Sequence, residues 1–402
     1  MYRAWIVCVL VLGCGYPPLG NVSAPDASTD SLTDAAPPME PICASIASVT
    51  PQFHVSACAT PTLTLLDLST SVSVDTDSGT STLAGLSCAK VSNGNSKVCA
   101  LVALTIIIEP AVVLSAHGSY SLALLAHSIN IHGTIDVASH INGAVGASAL
   151  LGGCIVGTLP RGAGGGRGGN FVDLGGQGGD DGTTVASGGR GGGSFVIDTL
   201  TGSCGGTRGG DGSAGGGADG GTTTGGAGGG AVWIVSDTGQ LDIENGAVIN
   251  ASGASGVGGA AGHGGSGGGA GGLIVLQAPS IRLQPNAMIF ANGGHGGGGS
   301  GANPTGTGFT VGAPGTDPTD PSSGGGGGTG GTDGTSLLVA PALGPGDGGP
   351  GYPASPMMRN GQAGGATGRG GGGGGGSPGA IFVVSSSDIT GTNVSPLPVS
   401  LQ

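Results

Sequence analysis

The residues of this chain that could do chemistry are few and scattered. Asp242 and Glu244 project from the same side of one short strand, and Asp180 and Asp181 are adjacent. Paired carboxylates are what polysaccharide cleavage needs, because one group gives a proton while the other takes one or attacks. At an offset of forty residues, however, Arg282 and Gln284 occupy the places of Asp242 and Glu244, so no acidic ladder runs along that face. Lys90 and Lys97, the candidate bases, lie far upstream. These carboxylates read as solvated surface groups. His127 and His132 fall on opposite strand faces, while His263 and His295 sit in glycine stretches, and no HxH or CxxC spacing points to zinc. The string Gly330-Gly331-Thr332-Asp333-Gly334 resembles a calcium-binding nonapeptide, but that motif works by tandem stacking and here occurs once. No catalytic, cofactor-binding or metal-ligating set is expected.

The elements that carry these residues are repeated. Ala231–Gly253 aligns with Gly271–Gly293 at the forty-residue offset: Trp233-Ile234-Val235 against Leu273-Ile274-Val275, Leu241 and Ile243 against Ile281 and Leu283, Ile249 against Ile289. Gly379–Val384 repeats the first part of the unit. Upstream, Leu122–Leu125, Ile129–Ile131 and Ile135–Val137 give the same three-part unit, and Ile106–Ile108 with Val112–Leu114 give two thirds of another. Each unit holds three short strands rich in β-branched residues, with turn residues such as Pro279, Pro285 and Asn245-Gly246 between them. The expected fold is all-β: a parallel β-helix-like solenoid from about Leu101 to Val394, in which each coil buries its apolar strip against the next. Ile129, Ile131, Ile135 and Val137 point inward in this reading, and Asn130, His132 and Asp136 outward. Leu241, Ile243, Ile249, Ile281, Leu283 and Ile289 belong to the core.

Long glycine stretches separate the coils: most of 143–230, 253–272, 293–334 and 344–379, holding most of the 96 glycines. They read either as flexible solvated loops or as packed polyglycine II strands, an extended three-residue helix whose backbones hydrogen-bond to one another. Collagen is the poorer option, lacking a Gly-X-Y register. The stretch 264–272, flanked by coils, is a candidate for packing, and 301–335, with its Asp-Pro repeats, for irregular chain. Aromatic residues make up 3% and charged residues 8%, so no core of large side chains is available. A net charge of −13 with ten Lys and Arg leaves no basic face for nucleic acid.

The chain divides into four expected parts. Residues 1–13 form a secretory leader: Arg3, an apolar run Ile6–Leu12, then Val11-Leu12-Gly13-Cys14. That ending resembles a bacterial lipobox, which makes Cys14 the lipidated N-terminus. Residues 14–41 are a disordered acidic tether. Residues 42–100 are a cysteine-containing cap for the open edge of the solenoid, and 101–402 are the solenoid with its glycine-rich insertions. Six cysteines remain after Cys8 and Cys14, and an even number in an exported chain implies disulfides. The spacing suggests Cys43–Cys58, Cys88–Cys99 and Cys154–Cys204.

This layout, with leader, Gly-Cys, acidic Pro/Asp linker, cysteine-bearing β region and Gly blocks ending in strands, resembles the glycine-rich cell-surface lipoproteins of myxobacterial type. Their Gly blocks are compared with those of PE-PGRS proteins. The resemblance covers nearly the whole chain and is compositional. It implies an exported envelope protein of the outer membrane or cell surface and brings no catalytic residues. The leading functional expectation is therefore a non-enzymatic structural or adhesive lipoprotein. It is held to the membrane through lipid at Cys14, with envelope polysaccharide or neighbouring surface proteins as partners. A carbohydrate-binding or carbohydrate-cleaving β-helix is the alternative. Ice binding is a third, opposed by the absence of a Thr ladder: the facing pairs are Asp242/Arg282 and Asn250/Phe290.

Overall fold

A computed structural model describes residues 39–49, 52–93, 96–149, 158–182, 187–190, 192–194, 197–211, 224–260, 262–301, 311–322, 327–330, 345–355, 358–365, 370–386, 389 and 393–401. The leader, Cys14, nearly all of the tether, Cys154 and Asp333 lie outside the described residues. Within them every regular element is a strand. In chain order these are β1 (Ile42–Val49), β2 (Gln52–Ala59), β3 (Leu63–Leu68), β4 (Val72–Asp75), β5 (Thr80–Ser81), β6 (Ala89–Asn93), β7 (Ser96–Ile108), β8 (Val113–His117), β9 (Ser121–Ala126) and β10 (Ser128–Ile131). They continue as β11 (Thr134–Asp136), β12 (Ala231–Ser236), β13 (Gln240–Ile243), β14 (Val248–Asn250), β15 (Leu273–Gln277), β16 (Ser280–Leu283), β17 (Met288–Phe290), β18 (Ala380–Val384), β19 (Val394–Ser395) and β20 (Val399–Ser400).

The strands stack in three parallel rows. The first row runs β7, β9, β12, β15, β18, β20. The second runs β3, β7, β10, β13, β16, and the third β4, β8, β11, β14, β17, β19. The length of β7 explains how two rows join. Its first half pairs with β9 and its second with β3 and β10, which makes one curled 11-stranded sheet beside a 7-stranded one. β7 also passes without a break through residues 100 and 101. Antiparallel β5 and β6 close the starting edge of the third and first rows.

Alternation decides what each row buries. Ile129, Ile131, Ile135, Val137, Leu241, Ile243, Ile249 and Ile289 are fully buried between the rows, Ile281 nearly so, and Leu283 is partly buried against them. Turn residues follow their conformational preferences: Gly246, with φ 82°, sits between β13 and β14 where a side chain would strain the backbone. The register corrects one detail of the sequence alignment. β13 pairs with β16 and β14 with β17 at the expected offset, but Trp233 pairs with Val275 rather than Leu273. Four residues, 236–239, link the paired positions after β12, and only two, 278–279, after β15. A slip of two leaves inward residues inward, because the strand period is two.

A second core lies outside the first row. β9 and β12 are buried on both faces. The β1–β2 hairpin lies across their outer side, packing Ile42, Phe53 and Val55 with Leu125, Trp233, Val275 and Phe382. The Phe53 and Phe382 rings meet edge to face at 5.2 Å. The cysteine-bearing hairpin thus covers a sheet face rather than the end of the stack.

Between third-row and first-row strands the chain runs into the glycine segments, which are hydrogen-bonded to one another. Gly371, Gly374 and Ser377 donate to Ala163, Gly166 and Gly169 at 2.8–3.0 Å. Gly370, Gly373 and Gly376 donate to Ser300, Gly297 and Gly294, while Gly372 and Gly375 donate to Gln362 and Arg359. The carbonyls of the same stretch accept from 265–271, from 176 and 179, and from 346–352. Every third residue therefore addresses the same neighbour, the period of the polyproline II helix. The stretch 264–272 behaves likewise, donating in turn to 204–210, 371–377 and 251–257. Parts of 301–335 join in: Gly312 donates to Gly259 and Gly328 to Gly296, so that region is not irregular throughout. Glycine is required because a Cβ at Gly373 would strike the Ser266 carbonyl oxygen, and one at Gly376 that of Gly269.

Candidate functional site

The residues singled out in the sequence are dispersed. Asp242 stands in the second row between Asn130 and Arg282, with Gln240 Nε2 donating to its Oδ1 at 2.6 Å. Asp180 and Asp181 serve separate partners. The first takes Arg190 Nη2 on both oxygens at 2.9 and 2.8 Å, and the second, buried, accepts the Ala163 amide at 3.1 Å. Lys90 and Lys97 flank the Tyr120 ring at 5.5 and 5.9 Å, and Lys90 donates to the Asp77 carbonyl. His127 pairs with Asp237 at 2.7 Å. Among the described residues no group of three or more His, Cys, Asp or Glu could hold a metal.

Two disulfides join described residues, Cys43–Cys58 across the β1–β2 hairpin and Cys88–Cys99, which ties the residue before β6 to β7. Cys204 is also disulfide-bonded. An apolar groove of about 410 Å³ opens beside β18 and β20, lined by Val172, Ile197, Phe382, Leu397 and Val399. Among the described residues, no polar side chain lines it to orient a ligand.

A polar cluster forms where the third row enters the glycine bundle. β11 ends on Asp136, His140 contacts it four residues on, and a turn follows with Asn142 in the left-handed region (φ 56°). His140 Nε2 lies 3.0 Å from Asp136 Oδ2, and Nδ1 lies 3.7 Å from Asp317 Oδ2, an ion-pair distance. Asp317 belongs to a strap, 311–322, that carries no regular element, turns at 320–322 and meets residues following β11, β14 and β17. Its carboxylate accepts the Ile141 amide at 2.8 Å on Oδ2 and the Ser255 amide at 2.7 Å on Oδ1. Ser255 Oγ donates to the Thr316 carbonyl at 2.6 Å, and the buried His295 places Nδ1 on that same carbonyl. Further along, Asn292 Nδ2 donates to the carbonyls of Asp320 and Pro321 at 3.2 and 3.3 Å.

The electrostatics follow from this packing. The hydrogen-bonded Asp136 and the Asp317 beside it push the His140 imidazole up to about 10 against the cost of burial. For Asp317, burial opposes ionisation, but His140 and the amides of Ile141 and Ser255 outweigh it and hold the carboxyl below its usual range. An imidazolium between two carboxylates is therefore the resting state.

Ser255, His295 and Asp317 are the residue types of a hydrolytic triad, without its geometry. Ser255 Oγ spends its proton on Thr316, His295 Nδ1 is 3.5 Å away, and Asp317 grips amides rather than His295. A nucleophile needs its base in hydrogen-bond reach and its oxygen open to substrate. Here Ser255 and His295 are buried. What the arrangement does chemically is fasten an extended acidic segment. Ser255 and Asp317 were not singled out from sequence and His295 was weighed only as a zinc ligand, although the forty-residue offset, carried two residues past Gly253 and Gly293, pairs Ser255 with His295.

Compared with known proteins, the chain matches no family model, no curated protein and no solved structure.

Proposed function

We propose that the chain is an exported, surface-anchored structural or adhesive lipoprotein without enzymatic activity. The three rows are the faces of a parallel β-helix, and the glycine segments form a polyglycine II bundle carried on its side. The observation that supports this reading is the bundle's three-residue hydrogen-bond period, in which one stretch, 370–377, exchanges backbone bonds with six neighbouring segments. Such a network spends its polar groups on rigidity. Formed disulfides fit an oxidising compartment, and the Leu-Gly-Cys leader fits lipid attachment at Cys14. Envelope polysaccharide or neighbouring surface proteins are the partners of this reading.

The test uses the full chain expressed with its leader in a bacterium that processes lipoproteins. Labelled palmitate should enter the wild-type protein, protease added to whole cells should reach it, and Cys14→Ala should carry no label and leave the membrane fraction. A Cys14→Ala chain that stays with membranes like wild type removes the anchor. Release of reducing sugar from any polysaccharide by the purified protein removes the non-enzymatic part.

A further inference from the structure

The strap 311–322 is bound as a ligand is bound. Its recognised groups are one carboxylate and three backbone carbonyls: Asp317, and those of Thr316, Asp320 and Pro321. Its receptors come from other elements: the amides of Ile141 and Ser255, the hydroxyl of Ser255, the imidazoles of His140 and His295, and the amide of Asn292. These receptors are fixed from behind. Ser255 Oγ also takes the His295 amide at 3.0 Å, the Asn292 amide donates to Ser252 Oγ at 3.1 Å, and Ser395 Oγ donates to Asn292 Oδ1 at 2.7 Å. Asn292, His295 and Ser255 are almost wholly buried with the strap in place, so on this side they hydrogen-bond to the strap rather than to water. Two consecutive Thr-Asp-Pro triplets, 316–318 and 319–321, supply all four of these groups.

We infer that this groove is a binding site for an extended acidic peptide of the Thr-Asp-Pro type, occupied in this chain by its own strap as a built-in plug. The carboxylate is read by two amides and the His140 imidazolium, the mode by which backbone donors and cations select acidic motifs. Proline suits the strap because it presets the extended conformation and lowers the entropy lost on binding. The inference rests on the groove alone and not on the reading of the chain as an envelope element.

The test replaces residues 314–321 of the full chain by a Gly-Ser stretch of equal length, which keeps the connection, removes the Asp317 carboxylate and replaces the prolines that preset the strap's conformation. The probe is a fluorescent peptide of residues 312–322, read by anisotropy. The replaced chain should bind it saturably, and wild type at least tenfold more weakly because its site is filled. A probe with Asn for the first Asp, or His140→Ala in the replaced chain, should weaken binding at least tenfold. A folded replaced chain that fails to bind, or that binds both probes equally, overturns the proposal. If the replaced chain does not fold, Asp317→Asn takes its place, since it keeps the strap's volume and drops its charge. That variant must bind the probe more tightly than wild type does, and equal binding overturns the proposal. None of these outcomes depends on Cys14 or on sugar release, so this site and the anchoring reading fail separately.

Discussion

The parallel rows and the glycine bundle hold together by opposite means. In the rows the backbone bonds set spacing and side chains fill the space: Ile249 packs between Ile135 and Ile289 on neighbouring rungs, fully buried. At the bundle's glycines there is no side chain to bury, and the backbone is itself the packing surface. Gly373 donates to Gly297, accepts from Gly349 and lies against Ser266 so closely that no Cβ fits. A row loses stability when a side chain gets smaller. The bundle loses it when a side chain is added at one of its close-packed glycines.

That contrast gives the largest expected effects. Ile249→Ala should cost about 2–5 kcal/mol through lost burial and the cavity left behind, and Ile249→Val only about 0.5–1.5 kcal/mol. Gly373→Ala should cost about 3 kcal/mol or more, at or beyond the upper end of overpacking, because the obstacle is a carbonyl and not a side chain that can rotate away. Conservative replacement rescues the first site and cannot rescue the second. Denaturant unfolding with hydrogen exchange decides it. Exchange should quicken over β11, β14 and β17 in the Ile249 variants, and over 264–272 and 370–377 in Gly373→Ala. A Gly373→Ala protein as stable as wild type would remove the close-packed bundle.

The rows were largely legible in the sequence because alternating Ile and Leu on a strand has one sensible burial. Two parts were not. The runs Leu122–Leu125 and Val232–Val235 are apolar without alternation, the mark of strands covered on both faces. Their cover is the β1–β2 hairpin, far upstream, and the hairpin's cysteines suggested an end cap instead. Nothing local links Phe53 to Phe382. The bundle's neighbour list was illegible for a plainer reason: one glycine run is like another, so no side-chain code says that 371–377 lies beside 163–169. The strap site inherits both problems. Asp317 meets Ser255 and Ile141 across 62 and 176 residues, and its own segment read as irregular chain.

A middle-sized effect separates the hairpin from the bundle. Cys43–Cys58 closes a loop with a sequence separation of 15, worth about 3 kcal/mol in the loop-closure account. Cys43→Ser with Cys58→Ser should therefore loosen the outer cover of the first row while leaving the bundle intact. Hydrogen exchange should rise over β1 and β2, where the pairing is only two-stranded, and Trp233 fluorescence should shift red as water reaches the ring. Protection at 264–272 should not change. Loss of protection there would mean that the hairpin and bundle unfold as one unit.

The smallest expected effect lies at the seam between the two regions and depends on pH. His140 is ordinarily half-protonated near 6.5, and in the fold it is raised to about 10 by Asp136 and then Asp317. A raised histidine stabilises the fold in its protonated form. Its contribution is complete below pH 6.5, declines as pH rises from there, and is gone above about 10. Asp317 moves the other way: its carboxyl is held low, so its share is present above the ordinary carboxylate range and is lost in acid. The His140 side chain is 43% exposed, so screening keeps the clasp to about 1 kcal/mol. His140→Gln should thus be less stable than wild type at pH 6 and equal to it above pH 10, with the gap closing between. The imidazole resonances of His140 should titrate well above the ordinary histidine value, and Asp317→Asn should bring them down. A His140 that titrates near 6.5, or a His140→Gln penalty that does not change with pH, would show that the strap is held by its amide contacts alone.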